Sequence, residues 1–348
     1  MSCVNPSLVY VFYDKYHDKR FVKFYESVDS DISLKLAKNI PLSLSKYDKK
    51  SGDILHGDLE KVTFVGCGNC IGCALDHSKV WQNRLLLEDE YSINSYFVTL
   101  TYDENHIPSN YQLVREHLDR FIKELRNYFY NNFGYSGIRY YCCGEYGSHT
   151  GRPHYHLVLF NLPLFNEDWL FLLKKDNPFE IHQVSKSING EPIFDSDLIA
   201  KFWSYGFNTI SYTNSNVFGY IARYVNKKKV LTKDEKRDLK RLNIQTEFNR
   251  MSLKPGIGGL FYELNKDKII SNNGVIFLNG KEIQADRYFY KILDRSGEEE
   301  AHEFISNFRI NLAGVNKSVI QAKCTYSEYL KKLEMKYNKI NGVLKRSI

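Results

Sequence analysis

The sequence lacks the features that mark membrane, exported and nucleotide-driven proteins. No apolar run approaches the roughly eighteen residues that a membrane-spanning helix needs. The N-terminal stretch MSCVNPSLVYVFYDKY has neither a basic start nor a small-residue cleavage site, so we expect no signal peptide. No phosphate loop ending in GKS or GKT is present, which excludes that class of ATP site.

Cysteine is scarce for a secreted protein. The 7 cysteines, three of them closely spaced, do not form the pattern of a disulfide framework. A reducing compartment fits them better, and we expect the chain to work in a cytoplasm.

What the sequence does contain is an ordinary core, many aromatic rings and an excess of positive charge. Its 348 residues, 43% of them hydrophobic and 26% charged, suffice for one large domain or two smaller ones. The 26 Tyr and 22 Phe are interleaved with 48 Lys and Arg, and such rings could stack on unpaired bases. An AT-rich coding sequence would give the same composition. The net charge of +7 favours a polyanionic partner without proving one.

Two histidines stand one residue apart in GRPHYHLVLF, residues 151–160, just before an aliphatic run. Alternate side chains of a β-strand share a face, so His154 and His156 would project together from the end of a buried strand, as a pair of metal ligands must. The alternative is a half-exposed strand with two inert, hydrogen-bonded histidines.

A carboxylate is expected to join these histidines. Residues 138–143 form a predicted strand, and about ten residues connect it to the histidine strand, which favours an antiparallel hairpin. The hairpin brings Glu145 close to His154. A carboxylate beside two imidazoles is a ligand set for Mg²⁺ or Mn²⁺ with positions left open for substrate. An exposed loop carboxylate is the alternative.

A second candidate metal site lies in GCGNCIGCALDH, residues 66–77, where glycines let the backbone fold around an ion. The groups with metal-ligand spacing are Cys67, Cys70, Cys73 and His77. They make a closed structural Zn²⁺ site chemically reasonable. Cys142 or Cys143 could instead complete the set, and a tight turn with buried thiols is the alternative to a bound metal.

The segment NVFGYIARYVNKKK begins with capping residues and continues at helical spacing. Tyr220 and Tyr224 are four residues apart, so both hydroxyls would emerge from one helical face. Two such tyrosines usually pack against a neighbour. The same spacing suits two nucleophiles that attack one metal-held phosphate in turn, with Arg223, Lys227 and Lys228 steadying its charge.

The segment RMSLKPGIGG, residues 250–259, is a further candidate contact for DNA. Its glycines would expose backbone N–H groups beside Arg250 and Lys254, so a phosphate could dock there. A plain loop is the alternative. Downstream, Asn279-Gly280 predicts a hairpin turn, and residues 297–308 and 326–344 predict helices that serve DNA grip or assembly.

Three blocks resemble the rolling-circle replication initiators, the nucleases named for their histidine–hydrophobic–histidine motif. They are FVTLTY, GRPHYHLVLF and YIARYVNKK, in the order typical of that family. The paired tyrosines resemble its branch with two nucleophiles, and CGNCIGC, CGEYG and RMSLKPGIGG resemble the initiators of gokushovirus-type Microviridae phages. The resemblance covers residues 64–262. Tyr155 departs from the aliphatic middle position, and Arg223 stands where a lysine is common.

The resemblance implies an α+β fold, with a central antiparallel β-sheet flanked by helices around an RRM-like core. We expect an N-terminal peripheral segment (1–63), a nuclease domain with the cysteine cluster (64–262) and a C-terminal hairpin and helical region (263–348). The tyrosine helix is expected to overlook the metal site.

The implied function is that of a viral endonuclease and strand-joining enzyme. It would nick the double-stranded replicative form at the origin, become linked to the 5′ phosphate through tyrosine, and recircularise the displaced strand. The implied partners are phage origin DNA, single-stranded at the nick, and the host DNA polymerase and helicase, in the cytoplasm of a bacterial host and away from membranes. A related transposase or relaxase is the alternative enzyme, and a zinc-stabilised nucleic-acid-binding protein is the alternative without catalysis.

Overall fold

Alternating apolar and polar residues build two antiparallel sheets in this chain. A computed structural model describes residues 7–25, 42–49, 51–66, 68, 71–147, 150–224, 233–242, 244–297 and 304. The described residues fall into two compact units, one within residues 1–77 and 293–348 and the other within residues 78–292. The predicted α+β class is confirmed, whereas the predicted domain boundaries at residues 63 and 262 stay a prediction.

Strands and helices alternate along the described ranges. The strands are β1 (Ser7–Asp14), β2 (Lys19–Tyr25), β3 (Ser43–Tyr47), β4 (Ile54–Val65), β5 (Ser95–Tyr102), β6 (Arg139–Tyr146), β7 (Pro153–Phe160), β8 (Ile181–Lys186), β9 (Pro192–Ser196), β10 (Gly206–Tyr212), β11 (Phe248–Met251), β12 (Val275–Leu278) and β13 (Lys281–Gln284). The helices are α1 (Ile71–Asp89), α2 (Arg115–Phe133), α3 (Asn166–Leu173), α4 (Asp197–Phe202), α5 (Ser215–Tyr224), α6 (Lys233–Arg241), α7 (Gly259–Leu264), α8 (Lys266–Ser271) and α9 (Arg287–Ser296).

The first unit contains a four-stranded antiparallel sheet in the order β2-β1-β4-β3. Its small core consists of Tyr10, Phe12, Phe21 and Leu55, which are all buried. The carboxylate of Asp14 closes the turn after β1 by accepting hydrogen bonds from the backbone N–H groups of neighbouring chain.

The second unit is built on a seven-stranded sheet in the order β11-β6-β7-β5-β10-β9-β8. Its central strand, β7, sends alternate side chains to opposite faces. Tyr155 and Leu157 point into one core, and His154 and His156 stand on the opposite face. We call these the α2 face and the histidine face.

Helix α2 covers the first of these faces. Its buried side chains recur every three or four residues, which gives one apolar stripe toward the sheet. They are Leu118, Phe121, Ile122, Leu125 and Phe129. The helix ends at Gly134, whose φ of 64° is a left-handed conformation that favours glycine, and whose N–H donates to Tyr130 O.

Helices α1 and α5 cover part of the histidine face. Leu85 of α1 packs with Phe218 and Ile221 of α5 against Val158 and Phe160 of β7. No described helix is long and apolar enough to cross a membrane.

Tyr155, the middle residue of the histidine motif, ties β7 to the start of α2. Its hydroxyl donates to Val114 O at 2.8 Å and accepts from Val114 N–H at 2.9 Å, and it lies 2.7 Å from the hydroxyl of Tyr102. The side chain is completely buried. A phenol, rather than the aliphatic residue expected here, therefore satisfies two backbone groups in the core.

We expect Tyr155→Phe to lower the free energy of unfolding by about 1–3 kcal/mol, because it leaves buried backbone groups without a partner. Urea unfolding monitored by circular dichroism measures this. Tyr130→Phe, at a tyrosine that is 62% exposed, is the matched control and should change stability by less than about 0.5 kcal/mol. Equal stability of the two variants would contradict the proposed role of the hydroxyl.

Candidate metal and tyrosine site

The predicted hairpin between the two central strands is confirmed. Strands β6 and β7 pair antiparallel, with Glu145 opposite His154 and Cys143 opposite His156. The connecting loop closes where Gly147 N–H donates to Arg152 O at 2.9 Å, and Gly151 supports the turn with a φ of 66°. The register thus brings a carboxylate from one strand to two imidazoles of the other.

Glu145, His154 and His156 converge on one point of the histidine face. Glu145 Oε1 lies 2.8 Å from His154 Nε2 and 3.1 Å from His156 Nε2. Glu145 and His156 are only 5% and 7% exposed. The second carboxylate oxygen, Oε2, is buried and has no hydrogen-bond partner among the described residues. A buried carboxylate oxygen without a partner is costly unless a cation compensates it.

The outer nitrogen of each imidazole is held by a second group. His154 Nδ1 lies 3.1 Å from Arg152 O, and because a carbonyl only accepts, Nδ1 carries the proton. His156 Nδ1 lies 3.0 Å from Thr99 Oγ1 on the neighbouring strand β5. Such outer hydrogen bonds fix the ring orientation and direct Nε2 toward a metal ion.

Glu145 is held in its charged form. Burial by itself raises the pKa of this carboxyl group, but hydrogen bonds and positive charge from His154 and His156 outweigh burial and lower the pKa to about 2. The site therefore presents a negative charge toward which two imidazole nitrogens converge, and the protons shared there occupy the place that a cation can take.

These three residues fit a divalent cation. Their ligand atoms all lie within 4.8 Å of one another. Adjacent ligands of an octahedral ion with bonds of about 2.0–2.1 Å are about 2.9 Å apart, close to the observed separations from Glu145 Oε1. Carboxylate ligands suit Mg²⁺ and Mn²⁺, and imidazoles suit other first-row divalent ions as well.

Helix α5 places Tyr220 against this site. Asn214 caps the helix by accepting from the N–H groups of residues 216 and 217. The ring of Tyr220 lies 6.0 Å from the ring of His156 and 5.9 Å from that of Phe97, edge-on to both. Tyr220 is 39% exposed, so its face toward solvent stays open to a substrate.

Helix α1 braces α5 in this position. Gln82 Nε2 donates to Ser215 O at 3.0 Å, and Ser78 Oγ donates to Ala222 O at 3.1 Å. Gly219 permits the close approach, because a Cβ there would lie 2.9 Å from Gln82 Nε2. The helix that carries the tyrosines is thus fixed at both of its ends.

The other predicted residues of the tyrosine segment are only partly described. Helix α5 ends at Tyr224, one turn after Tyr220, as its spacing predicts. Arg223 is exposed beside them. The side chain of Tyr224 lies outside the described residues, as do Lys227 and Lys228.

The cysteine cluster is likewise described in part. Cys67 and Cys70 lie outside the described residues, while Cys73 and His77 lie four apart in the first turns of α1, as predicted. Cys142 and Cys143 point to opposite faces of β6, and burial raises the pKa of both thiols. A structural Zn²⁺ site stays a prediction.

The glycine segment uses its N–H groups internally, contrary to the expectation that they are exposed. Gly256 N–H donates to the Tyr288 hydroxyl and Gly258 N–H donates to Glu88, at 2.8 and 2.7 Å. Arg250 lies in the edge strand β11 and is 3.3 Å from Asp119, and Lys254 is exposed. The DNA contacts predicted for these two side chains stay predictions.

Sequence reasoning missed two features of this region. Thr99 lies in the FVTLTY block and faces His156, and strand alternation relative to His156 could have identified it. A second group of possible ligands, Glu180, His182 and Asp197, lies exposed around β8 and α4. Exposed acidic groups of this kind are common without a metal, so we use this group only as a control.

The comparisons with known proteins identify relatives. A family of replication-associated proteins, described under the name ORF2, matches residues 95–229, which include the histidine strand and the tyrosine helix. The chain is 31% identical to Replication-associated protein ORF2 of Spiroplasma virus 4, over 85% of this chain and 89% of the relative. It is 26% identical to Replication-associated protein VP4 of Bdellovibrio phage phiMH2K, over 70% and 72%. It is 27% identical to Replication-associated protein ORF4 of Chlamydia phage 1, over 76% and 63%. No solved structure matches the chain.

We expect Mn²⁺ to stabilise the protein through these three ligands. At a free concentration of about one hundred times Kd, binding should add about 2.7 kcal/mol to the free energy of unfolding. Thermal unfolding with and without Mn²⁺ measures the gain. The double variant His154→Ala, His156→Ala should show none, and His182→Ala in the exposed group should keep it. Full stabilisation of the double variant would contradict this assignment.

We expect Thr99→Val to weaken Mn²⁺ binding about 10- to 100-fold, because His156 Nδ1 loses the group that orients its ring. Isothermal titration calorimetry measures the affinity. Thr209 is exposed directly opposite Thr99 in the sheet, so Thr209→Val is the matched control and should bind Mn²⁺ normally. An unchanged affinity in Thr99→Val would remove this threonine from the site.

Proposed function

The chain belongs to the family of phage replication-associated proteins, the rolling-circle Rep proteins predicted from its motifs, and we propose that it nicks and rejoins DNA at the phage origin. One observation supports this chemistry above the others. The ring of Tyr220 lies beside His156, whose Nε2 converges with His154 Nε2 on Glu145 Oε1. A nucleophile next to a cation site is what phosphodiester cleavage through a covalent intermediate requires.

Glu145, His154 and His156 would hold the divalent ion, Mg²⁺ or Mn²⁺. When bound there, the ion supplies Lewis-acid polarisation of the scissile phosphate and offsets its developing charge. The protein contributes the fixed ligand positions, since the carboxylate and both rings are held by the hairpin and its neighbours.

Tyr220 is the proposed first nucleophile, because its ring is the one that the structure brings against the ligands. Its hydroxyl loses a proton and the oxygen attacks the phosphorus. An O–P bond to tyrosine forms, the bond from phosphorus to the 3′ oxygen breaks, and that oxygen takes up a proton. The products are a 5′-phosphotyrosine and a free 3′-hydroxyl, which host polymerase can extend.

Tyr224 would act in the second half of the cycle. After one circuit it cleaves the regenerated origin in the same way, and the released 3′-hydroxyl attacks the first phosphotyrosine. The new O–P bond closes the displaced strand, and the tyrosine recovers its proton. Each step exchanges one phosphodiester for another, so the cycle conserves bond energy without a nucleotide cofactor.

The remaining predicted roles belong to the same proposal. Arg223, Lys227, Lys228, Arg250 and Lys254 would contact the phosphates of origin DNA, whose attraction to a chain of net charge +7 is mainly electrostatic. Host polymerase and helicase would act on the nicked duplex, in the cytoplasm of the bacterial host. Cys67, Cys70, Cys73 and His77 would hold a structural Zn²⁺.

A covalent adduct tests the proposal. The protein is incubated with Mn²⁺ and single-stranded oligonucleotides that tile the phage origin region, and denaturing electrophoresis then detects DNA that stays attached. We expect the wild type to form an adduct with one of them and the double variant Tyr220→Phe, Tyr224→Phe to form none, because no phenol is left to attack.

Two controls give the assay its meaning. Tyr212→Phe, at a tyrosine 51% exposed on strand β10, should still form the adduct. The variant His154→Ala, His156→Ala should form none but keep salt-sensitive DNA binding, since phosphate contacts dominate that affinity. An adduct in the double tyrosine variant, or none in the wild type on any origin sequence, would refute the mechanism.

A further inference from the structure

One row of side chains crosses the sheet through the candidate site and continues past it. In successive strands β6, β7, β5 and β10, the residues directly opposite one another are Glu145, His154, Thr101 and Phe207. Directly opposed residues of an antiparallel sheet lie on the same face. Phe207 therefore stands on the histidine face, two strands or about 10 Å from His154.

The sheet is open where Phe207 stands. The buried residues of the histidine face come from α1, α5, β6, β7 and the segment around Ile257, so these elements cover one side of the sheet. On β10, Thr209 is exposed, and Phe207 exposes 66% of its surface. An uncovered stretch of sheet thus runs from the ligands toward β9.

The backbone presents Phe207 at the very start of its strand. Gly206 has a φ of 153°, and a Cβ at this position would lie 2.4 Å from Asp103 N and 2.5 Å from Thr101 O. Only glycine lets β10 begin so close to the end of β5. This approach keeps Phe207 in the row with Thr101 and His154.

We propose that Phe207 is a stacking platform for an unpaired base of the DNA strand that lies across the histidine face. The inference rests on the proposed function, because it places single-stranded DNA at the ligands. A single exposed phenylalanine is common on protein surfaces. Its place in the ligand row, on an uncovered sheet, distinguishes Phe207, since open sheets with aromatic side chains bind unpaired bases by stacking.

Stacking on Phe207 would serve the reaction by positioning. A base held about two strands from His154 fixes the backbone of the strand on one side of the scissile phosphate, while α5 presents Tyr220 from the other side of the ligands. Because every base has a ring face, this contact orients the strand without reading its sequence.

The test measures binding of fluorescein-labelled oligothymidylate by anisotropy in the absence of divalent metal, so that no cleavage intervenes. Phe207→Ala should weaken binding about 5- to 150-fold, as expected for the loss of one stacked base. Phe207→Leu, which keeps an apolar side chain but no ring, should behave like Phe207→Ala. Phe207→Trp should bind as well as wild type or better.

A photo-crosslinking experiment locates the contact directly. Oligothymidylate in which single thymidines are replaced by 5-iododeoxyuridine is irradiated on the protein, and the attached peptide is identified by mass spectrometry. We expect attachment at Phe207 in the wild type and loss of that attachment in Phe207→Ala. Phe171, 62% exposed on α3 on the opposite side of the sheet, provides the matched control, and Phe171→Ala should bind and crosslink normally.

The outcomes separate this inference from the proposed function. Wild-type binding by Phe207→Ala, or restored binding by Phe207→Leu, would overturn stacking even if the tyrosine adduct forms. Loss of binding in Phe207→Ala with recovery in Phe207→Trp would support stacking. If that pattern holds while the wild type forms no adduct, the nicking mechanism fails and the stacking surface remains.

Discussion

The antiparallel register between β6 and β7 is the constraint on which the candidate site depends. It sets Glu145 opposite His154 and Cys143 opposite His156. A slip of one residue would turn the Glu145 carboxylate to the α2 face and leave two imidazoles without their acid. Burial on both faces opposes such a slip, because Leu157 packs under α2 while Val158 packs under α5.

Helix α1 connects this register to the nucleophile. Its polar side chains hold both ends of α5, through Gln82 and Ser78. Farther along the same helix, buried Glu88 accepts from Arg139 at the start of β6 and from Gly258 N–H. One helix thus contacts the ligand strand and the tyrosine helix, and rigid elements hold a reacting group more accurately than loops do.

Sequence periodicity predicted the hairpin, its three ligands and the tyrosine helix, because each depends on local spacing. It could not reveal Thr99 as a partner of His156, or Phe207 in the ligand row, since both follow from which strands become neighbours. The order in which β5 and β10 join β7 is a property of the whole sheet. The glycine N–H groups at 256 and 258 show the same limit: their acceptors, Tyr288 and Glu88, are distant in sequence.

Anomalous diffraction from crystals grown with Mn²⁺ tests the central claim most directly, since it locates the ion without relying on activity. The account predicts an anomalous peak bonded to Nε2 of His154, Nε2 of His156 and the carboxylate of Glu145, on the side of the sheet where Tyr220 lies. The absence of a peak at these three residues, with Mn²⁺ bound only at the exposed group around His182, would contradict it.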